Sequence, residues 1–235
     1  MKTYRLIFVI GLFGFVVLWV GGWGETAVQA GTISSPVLKW QHGGCYSSWC
    51  ETGWYSSPAV ADLDNDGKPE VIASPYTLFV LNGENGTEQW KVDPPGGRTW
   101  PGVVVADIDN NNDLEVAIAQ SGGTLTVYDH TGSQVWTRTP ESGELRGLSV
   151  YDLDADGTDE LVVTSTGDEV NTYVYEHTGT LRSGWPQLNN DSGYGWGVYN
   201  DNAALGDLDN DGQGELIVPS DVHYINAYEA NGAQI

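Results

Sequence analysis

Four nine-residue loops are rich in acidic residues at regular spacing. The loops begin at residues 62, 107, 152 and 207, so successive copies lie 45, 45 and 55 residues apart. Their odd positions hold Asp62, Asp64, Asp66, Lys68 and Glu70; Asp107, Asp109, Asn111, Asp113 and Glu115; Asp152, Asp154, Asp156, Thr158 and Glu160; and Asp207, Asp209, Asp211, Gln213 and Glu215. Carboxylates this close repel one another, so a folded chain tolerates them only if the loop stays solvated or a cation occupies it.

The pattern of oxygen donors predicts a calcium site in each loop. Positions 1, 3, 5 and 9 offer side-chain oxygens, and position 7 can offer its backbone carbonyl. Glycine at position 6, as in Gly67, Gly157 and Gly212, permits a sharp turn. Hard oxygen ligands suit Ca²⁺, whereas zinc and copper favour clustered His or Cys, which these loops lack. The second loop departs from the pattern, because Asn111 lowers the ligand charge and Asn112 replaces the glycine.

The loops have two alternative interpretations. An EF-hand needs flanking helices and a glutamate at position 12. That position holds Ala73, Ile118, Val163 and Val218, each inside a predicted strand, which excludes the EF-hand. Ordinary solvated turns are the alternative, because Asp, Asn and Gly favour turns. Solvated turns predict scattered acids, however, and here the acids keep to positions 1, 3 and 9 in all four copies.

The segments around the loops predict the elements that position them. Each loop precedes a short apolar run, a second run rich in β-branched residues, a turn ending in Gly and, in three copies, a Trp. This period and composition are typical of an all-β β-propeller of four-stranded antiparallel blades. Four blades are present, at about 56–92, 99–138, 145–186 and 197–235. A β-solenoid is the alternative architecture, although its turns recur at shorter intervals.

The four units resemble FG-GAP and VCBS repeats, the blades of integrin α-chain propellers and of secreted bacterial proteins. The resemblance rests on the stretches VADLDNDGKPEVIAS, VADIDNNNDLEVAIAQ, VYDLDADGTDELVVTS and LGDLDNDGQGELIVPS, and it covers residues 56–235. The flanking Phe-Gly and Gly-Ala-Pro segments of the family are poorly kept, so the chain looks closer to the bacterial type. The resemblance implies that Ca²⁺ is a structural metal that braces the loop between the first two strands of a blade.

The ends of the repeat array leave the closure of the propeller open. Residues 36–40 look like the last strand of a blade, with Trp40 matching Trp90 and Trp136. The fourth unit stops at Ile235, one residue before its Trp is due. Either these residues clasp a four-bladed ring, or the chain is part of a larger ring, which we favour. In the second case we expect further blades, or self-association through the open edge.

The N-terminus predicts export. Lys2 and Arg5 precede an apolar stretch at 6–20 and small residues at 28–30, which is typical of a signal peptide at 1–30. An uncleaved membrane anchor is the alternative. Residues 31–55 are expected to form an N-terminal strand and a loop containing Cys45 and Cys50, the only two cysteines, which an oxidising compartment would allow to pair.

The net charge and the absence of catalytic motifs in the sequence argue against several classes of function. A net charge of −23 would repel nucleic acid and anionic membranes. No nucleophile elbow, zinc-protease motif or phosphate loop occurs, and His130 and His177 are interpreted as exposed turn residues. We expect a secreted or cell-surface calcium-binding propeller for adhesion or for recognition of a protein or carbohydrate, more plausibly no enzyme. The alternative is the propeller of a calcium-dependent polysaccharide lyase or another extracellular carbohydrate-active enzyme.

Overall fold

Strands and turns are the only regular elements in the part of the chain that the structure describes. A computed structural model describes residues 35–43, 56–167, 170–188, 198, 202–220 and 224–235. The chain divides into two units, Met1–Val37 and Leu38–Ile235, and all of the strands lie in the second. The strands are β1 (Ala59–Ala61), β2 (Glu70–Ala73), β3 (Leu78–Asn82), β4 (Glu88–Val92), β5 (Val104–Ala106), β6 (Glu115–Ala119), β7 (Leu125–Tyr128), β8 (Gln134–Arg138), β9 (Leu145–Tyr151), β10 (Glu160–Ser165), β11 (Thr172–Tyr175), β12 (Ala204–Gly206), β13 (Glu215–Pro219) and β14 (Ile225–Tyr228).

The strands form four consecutive antiparallel sheets, which confirms the all-β, blade-like expectation. β1–β4 and β5–β8 make four-stranded sheets, whereas β9–β11 and β12–β14 make three-stranded ones. Where a fourth strand would pair in the last two sheets, the structure has isolated bridges, from Tyr175 to Leu181 and from Tyr228 to Gln234. The sheets are not closed into a ring within the described ranges.

The strand that follows each acidic loop lies in the middle of its sheet. Every residue of β6 and of β10 is buried, as the uninterrupted apolar runs predict. Three apolar cores alternate with the four sheets, and each core takes side chains from two successive sheets. A single sheet cannot cover both of its apolar faces, so the neighbouring sheet completes the burial.

The residue at loop position 2 shows how successive sheets cover one another. Leu63, Ile108 and Leu153 are at most 1% exposed, because each enters the core that its sheet shares with the next. Leu208 occupies the same position in the last sheet and is 58% exposed. The loop positions are equivalent in sequence, and only the presence of a following sheet distinguishes them.

Tryptophans link each sheet to the next. The indole Nε1 of Trp90 donates to the carbonyl oxygen of His130 at 3.0 Å, and that of Trp136 to His177 at 2.7 Å. Trp185 makes the same contact with Ala230 at 3.1 Å, and Trp40 with Gly83 at 3.0 Å. The predicted equivalence of Trp40 with Trp90 and Trp136 is therefore confirmed by a shared contact.

Each of these tryptophans lies against a tight turn of the neighbouring sheet. Gly132 and Gly179 have φ angles of 85° and 75°, and a Cβ atom there would come within 2.9 Å of Trp90 and 2.7 Å of Trp136. Glycine is thus required both for the left-handed backbone and for the close approach of the indole. His130 and His177 lie in these turns and are half-buried rather than exposed, and their carbonyl oxygens accept the indole N–H groups.

Several sequence expectations concern residues that the structure does not describe. The expected signal peptide at 1–30, the pair Cys45 and Cys50, and most of 31–55 lie outside the described ranges. Within those ranges, no helix long and apolar enough to cross a membrane is present.

Candidate metal centre

The glutamate at loop position 9 anchors each loop to the strand behind it. Glu70, Glu115, Glu160 and Glu215 begin β2, β6, β10 and β13, and all are at most 5% exposed. In each loop the glutamate Oε2 accepts the backbone N–H of position 2, at 3.0, 2.8, 2.8 and 2.6 Å in chain order. One carboxylate oxygen is thereby committed to the backbone, while the Oε1 atoms of Glu160 and Glu215 accept no hydrogen bond within the described residues.

The aspartate at position 1 folds the loop around itself. Asp152 Oδ1 accepts the backbone N–H of Asp156 at 3.1 Å, and its Oδ2 accepts that of Gly157 at 3.0 Å. The corresponding carboxylates, Asp62, Asp107 and Asp207, each accept the N–H of position 6 at 2.9 to 3.1 Å. These charge-assisted bonds bring the backbone of the loop toward the carboxylates, which explains why position 1 is acidic in all four copies.

Position 5 shapes the turn that presents position 7. Asp66, Asn111, Asp156 and Asp211 each use Oδ1 to accept the N–H two residues on, at 2.7 to 2.8 Å. Asn111 makes this bond as well as an aspartate does, so the second loop keeps its shape at a lower ligand charge. Asn112 adopts φ 75°, the left-handed conformation that glycine takes at position 6 elsewhere.

Position 4 is a conformational requirement that the sequence analysis missed. Asn65, Asn110 and Asn210 adopt left-handed φ angles between 58° and 65°, and Ala155 does so at 58°. The three asparagines are the signal that could have revealed it, because Asn tolerates this region better than most residues. Ala155 carries no such signal and is held there by the hydrogen bonds around it.

In each loop three carboxylates converge to a spacing suitable for one cation. One ligand oxygen from each of three residues lies within 4.8 Å of the other two. The groups are Asp62, Asp64 and Asp66; Asp107, Asp109 and Glu115; Asp152, Asp154 and Glu160; and Asp207, Asp209 and Glu215. The predicted ligands Glu70, Asp156 and Asp211 lie in the same loops but outside these groups.

The side chains at position 7 do not join the convergent groups. Lys68 turns away to pair with Glu84 at 3.0 Å, and Thr158 Oγ1 donates to Asp156 Oδ1 at 2.6 Å. The Asp113 carboxylate lies 4.0 Å from the Nδ1 of His130. Lys68, Asp113, Thr158 and Gln213 thus remain candidates only through their backbone carbonyls, as the sequence analysis expected.

Buried oxygens without hydrogen bonds indicate that the loops fit a cation. Asp62 Oδ1, Glu160 Oε1 and Glu215 Oε1 are buried and accept no hydrogen bond within the described structure. Burial raises the pKa of Glu70 and Glu115, and it raises the pKa of Glu160 to about 8. Burying a carboxylate oxygen that accepts no hydrogen bond is costly, and a divalent cation would reduce that cost. The acidic clusters can therefore bind a metal ion.

In the third loop a basic side chain from outside the motif contacts the convergent carboxylates. The Nη2 of Arg182 lies 2.9 Å from Asp154 Oδ2, and its Nη1 lies 3.4 Å from Glu160 Oε1 and 3.2 Å from Glu176. The Nε of the same guanidinium donates to the Ala230 carbonyl at 3.1 Å. Sequence reasoning did not find Arg182, because it lies 22 residues after Glu160 and outside the loop motif.

Adjacent loops are also joined through their backbones. The N–H of Asp159 donates to the Ile108 carbonyl at 2.9 Å, and the N–H of Gly214 donates to the Leu153 carbonyl at 2.8 Å. Ile108 and Leu153 occupy position 2, whose N–H is already bound by the glutamate of its own loop. The second, third and fourth loops therefore form one hydrogen-bonded series.

Comparisons with two solved structures agree with the fold alone, and a third structure is similar at a lower TM-score. The computationally designed Ika4 protein is 11% identical, with a TM-score of 0.55 over 83% of this chain and 99% of its own. The matched chain in the complex of BBS1N with ARL6DN is 12% identical, with a TM-score of 0.52 over 77% of this chain and 53% of its own. The V. cholerae biofilm matrix protein Bap1 is 18% identical, with a TM-score of 0.44 over 84% of this chain and 41% of its own. The chain thus spans about half the length, or less, of the last two.

No curated protein matches the chain. A family model does match, and it is described as the FG-GAP-like repeat. The matched residues, 152–218, run from the third acidic loop into β13 and include the fourth loop. The same loop geometry recurs in the first two units. Residues 152–218 therefore match the FG-GAP-like repeat, as the loops and strands of these units had indicated.

Proposed function

We propose that Ca²⁺ ions occupy the four acidic loops and stabilise the blades as structural metals. The observation that carries this proposal is the convergence of three carboxylate oxygens within 4.8 Å in every loop. Only oxygen donors converge there, and such ligands favour Ca²⁺ over zinc or copper. The second loop should bind Ca²⁺ through a less negative set of ligands, because Asn111 is neutral.

The expected stabilisation is large for this fold. Extracellular calcium modules bind with dissociation constants of about 10⁻⁴ to 10⁻³ M. With free Ca²⁺ at about ten times that constant, each site adds roughly 1.4 kcal/mol to the free energy of unfolding. Four sites would add about 6 kcal/mol, which is comparable to the whole stability of an ordinary domain.

Calorimetric titration of the metal-depleted protein with Ca²⁺ tests the proposal, together with melting curves in Ca²⁺ and in EDTA. We expect binding of up to four ions and a fall of several degrees in the melting temperature on chelation. Zn²⁺ should not substitute. Glu88→Gln removes an exposed carboxylate outside the loops and serves as the control. A melting temperature that is the same in Ca²⁺ and EDTA would contradict structural calcium.

We further propose that the protein is secreted or held at the cell surface and serves adhesion or ligand recognition. The feature that supports recognition is a half-buried cationic and aromatic group formed by the β2–β3 and β4–β5 connections and by β9. Trp100 lies beside the guanidinium groups of Arg146, at 3.7 Å, and Arg98, at 5.2 Å, and Arg98 also donates to Tyr76 Oη at 2.9 Å. Arginine and aromatic side chains are frequent at recognition surfaces, and they suit acidic saccharides or peptides.

A glycan array that includes uronic-acid polysaccharides tests recognition, with Arg98→Gln as the variant and Lys39→Gln, at an exposed site, as the control. A lyase assay on the same polysaccharides separates binding from catalysis. Binding that depends on Arg98 would support recognition, and turnover of any polysaccharide would favour the enzyme alternative. Equal binding by Arg98→Gln and Lys39→Gln would show that the group around Arg98 is not the recognition site.

A further inference from the structure

We propose that Arg182 is a tethered cation that competes with the metal at the third loop and makes this site the weakest of the four. The proposal rests on the metal binding proposed above. The sequence had singled out the second loop instead, because Asn111 lowers its ligand charge. The relevant difference is a positive charge already present among the ligands of the third loop.

The guanidinium of Arg182 contacts two of the three convergent carboxylates. Its Nη2 lies 2.9 Å from Asp154, and its Nη1 lies 3.4 Å from the Oε1 of Glu160. Glu160 Oε1 is a buried oxygen that accepts no hydrogen bond in the described structure, and it is the oxygen left free to bind a metal. The cation therefore lies next to the ligand atom itself, and not merely at the rim of the loop.

Arg182 is also held in place from outside the loop. Its Nη1 donates to both oxygens of Glu176 at 3.2 Å, and its Nε donates to Ala230 at 3.1 Å. The side chain is 13% exposed. A metal that enters the third loop must either displace a fixed guanidinium from Glu160 or tolerate its charge at short range, and both lower the affinity.

The first loop provides the natural comparison. There the position 3 carboxylate, Asp64, accepts a hydrogen bond from the neutral amide of Gln89 at 3.2 Å. Asp154 occupies the same loop position and accepts from the charged Arg182 instead. The substitution Arg182→Gln therefore gives the third loop the kind of neighbour that the first loop already has.

The test is a calorimetric Ca²⁺ titration of the metal-depleted full chain, compared between wild type and R182Q. We expect one wild-type site weaker than the rest, and in R182Q a gain of about tenfold in affinity at that site, by analogy with the effect of one neighbouring charge on ionisation. R138Q is the matched control, because Arg138 Nε also donates to the next sheet's turn, at Gly179, yet touches no acidic loop.

The outcomes separate the proposals. If wild type binds no Ca²⁺, the proposed function fails. If it binds Ca²⁺ and R182Q binds with unchanged or reduced affinity, the function stands and the competition by Arg182 is wrong. If R182Q does not fold, the ¹⁵Nε resonance of Arg182 in the wild type decides. We expect this resonance to shift when the last Ca²⁺ ion binds. A shift when the first ion binds, or no shift at saturating Ca²⁺, would overturn the proposal.

Discussion

Trp136 donates a 2.7 Å hydrogen bond from Nε1 to the carbonyl oxygen of His177 and so ties β8 to the turn after β11. The indole also packs near the Tyr175 ring, with 6.4 Å between centroids. The contact recurs at Trp40, Trp90 and Trp185. A tryptophan at an equivalent position in successive units therefore links each blade to the next.

Replacing Trp136 with Phe should lower the free energy of unfolding by about 2 kcal/mol, because a hydrogen bond is lost and a small cavity remains. Urea denaturation in saturating Ca²⁺ measures the loss. Val135→Ala alters the adjacent, exposed side chain and should change stability by less than about 0.5 kcal/mol. Equal effects of the two substitutions would show that the indole does not link the blades.

Leu153→Ala and Leu208→Ala form a second matched pair. Both residues occupy loop position 2, but Leu153 is buried and Leu208 is 58% exposed. We expect Leu153→Ala to cost about 2–5 kcal/mol and Leu208→Ala less than about 0.5 kcal/mol. Chemical denaturation checks both values. A large loss for Leu208→Ala would indicate that another surface covers this residue in solution.

Glu115→Gln separates the anchoring role of position 9 from metal binding. The amide oxygen of Gln can still accept the N–H of Ile108, so the metal-free fold should keep its stability. Removing the charge should weaken Ca²⁺ at the second loop by at least roughly tenfold. Ca²⁺ titration and EDTA melting curves measure the two effects. A variant that retains full affinity would exclude Glu115 as a ligand.

Metal-free protein should lose stability as the pH rises from about 5 to 8. Burial raises the pKa of Glu70 and Glu115, and it raises that of Glu160 to about 8, so the folded state retains protons that the unfolded state releases near its ordinary value of 4.5. Their contribution is complete below the unfolded pKa and is lost as the pH approaches the folded one.

Saturating Ca²⁺ should remove this trend, because the ion favours the charged carboxylates and proton release accompanies binding. Denaturation at pH 5, 6.5 and 8, with metal-depleted and calcium-loaded protein, tests both statements. Glu160→Gln should flatten the metal-free profile. A metal-free stability that rises over this interval would contradict the assignment of these glutamates as the controlling groups.

Much of the candidate site could be predicted because its ligands lie close together in sequence. Nine residues are enough to specify the loop, since Asp at position 1 binds the backbone of positions 5 and 6, and position 5 binds that of position 7. The apolar runs likewise predicted buried central strands such as β6 and β10. These are local or short-range relationships, and the pattern of residue types contains them.

The repeated unit, its antiparallel strands and its oxygen-rich loops follow from the sequence alone. The tertiary structure decided which equivalent residues differ. Leu208 is exposed where Leu153 is buried because, within the described residues, only Leu153 is covered by a following sheet. Arg182 reaches the third loop from 22 residues after Glu160 because the fold brings its segment to Asp154 and Glu160. Such differences depend on contacts between distant segments, and the spacing of residue types within one unit does not encode them.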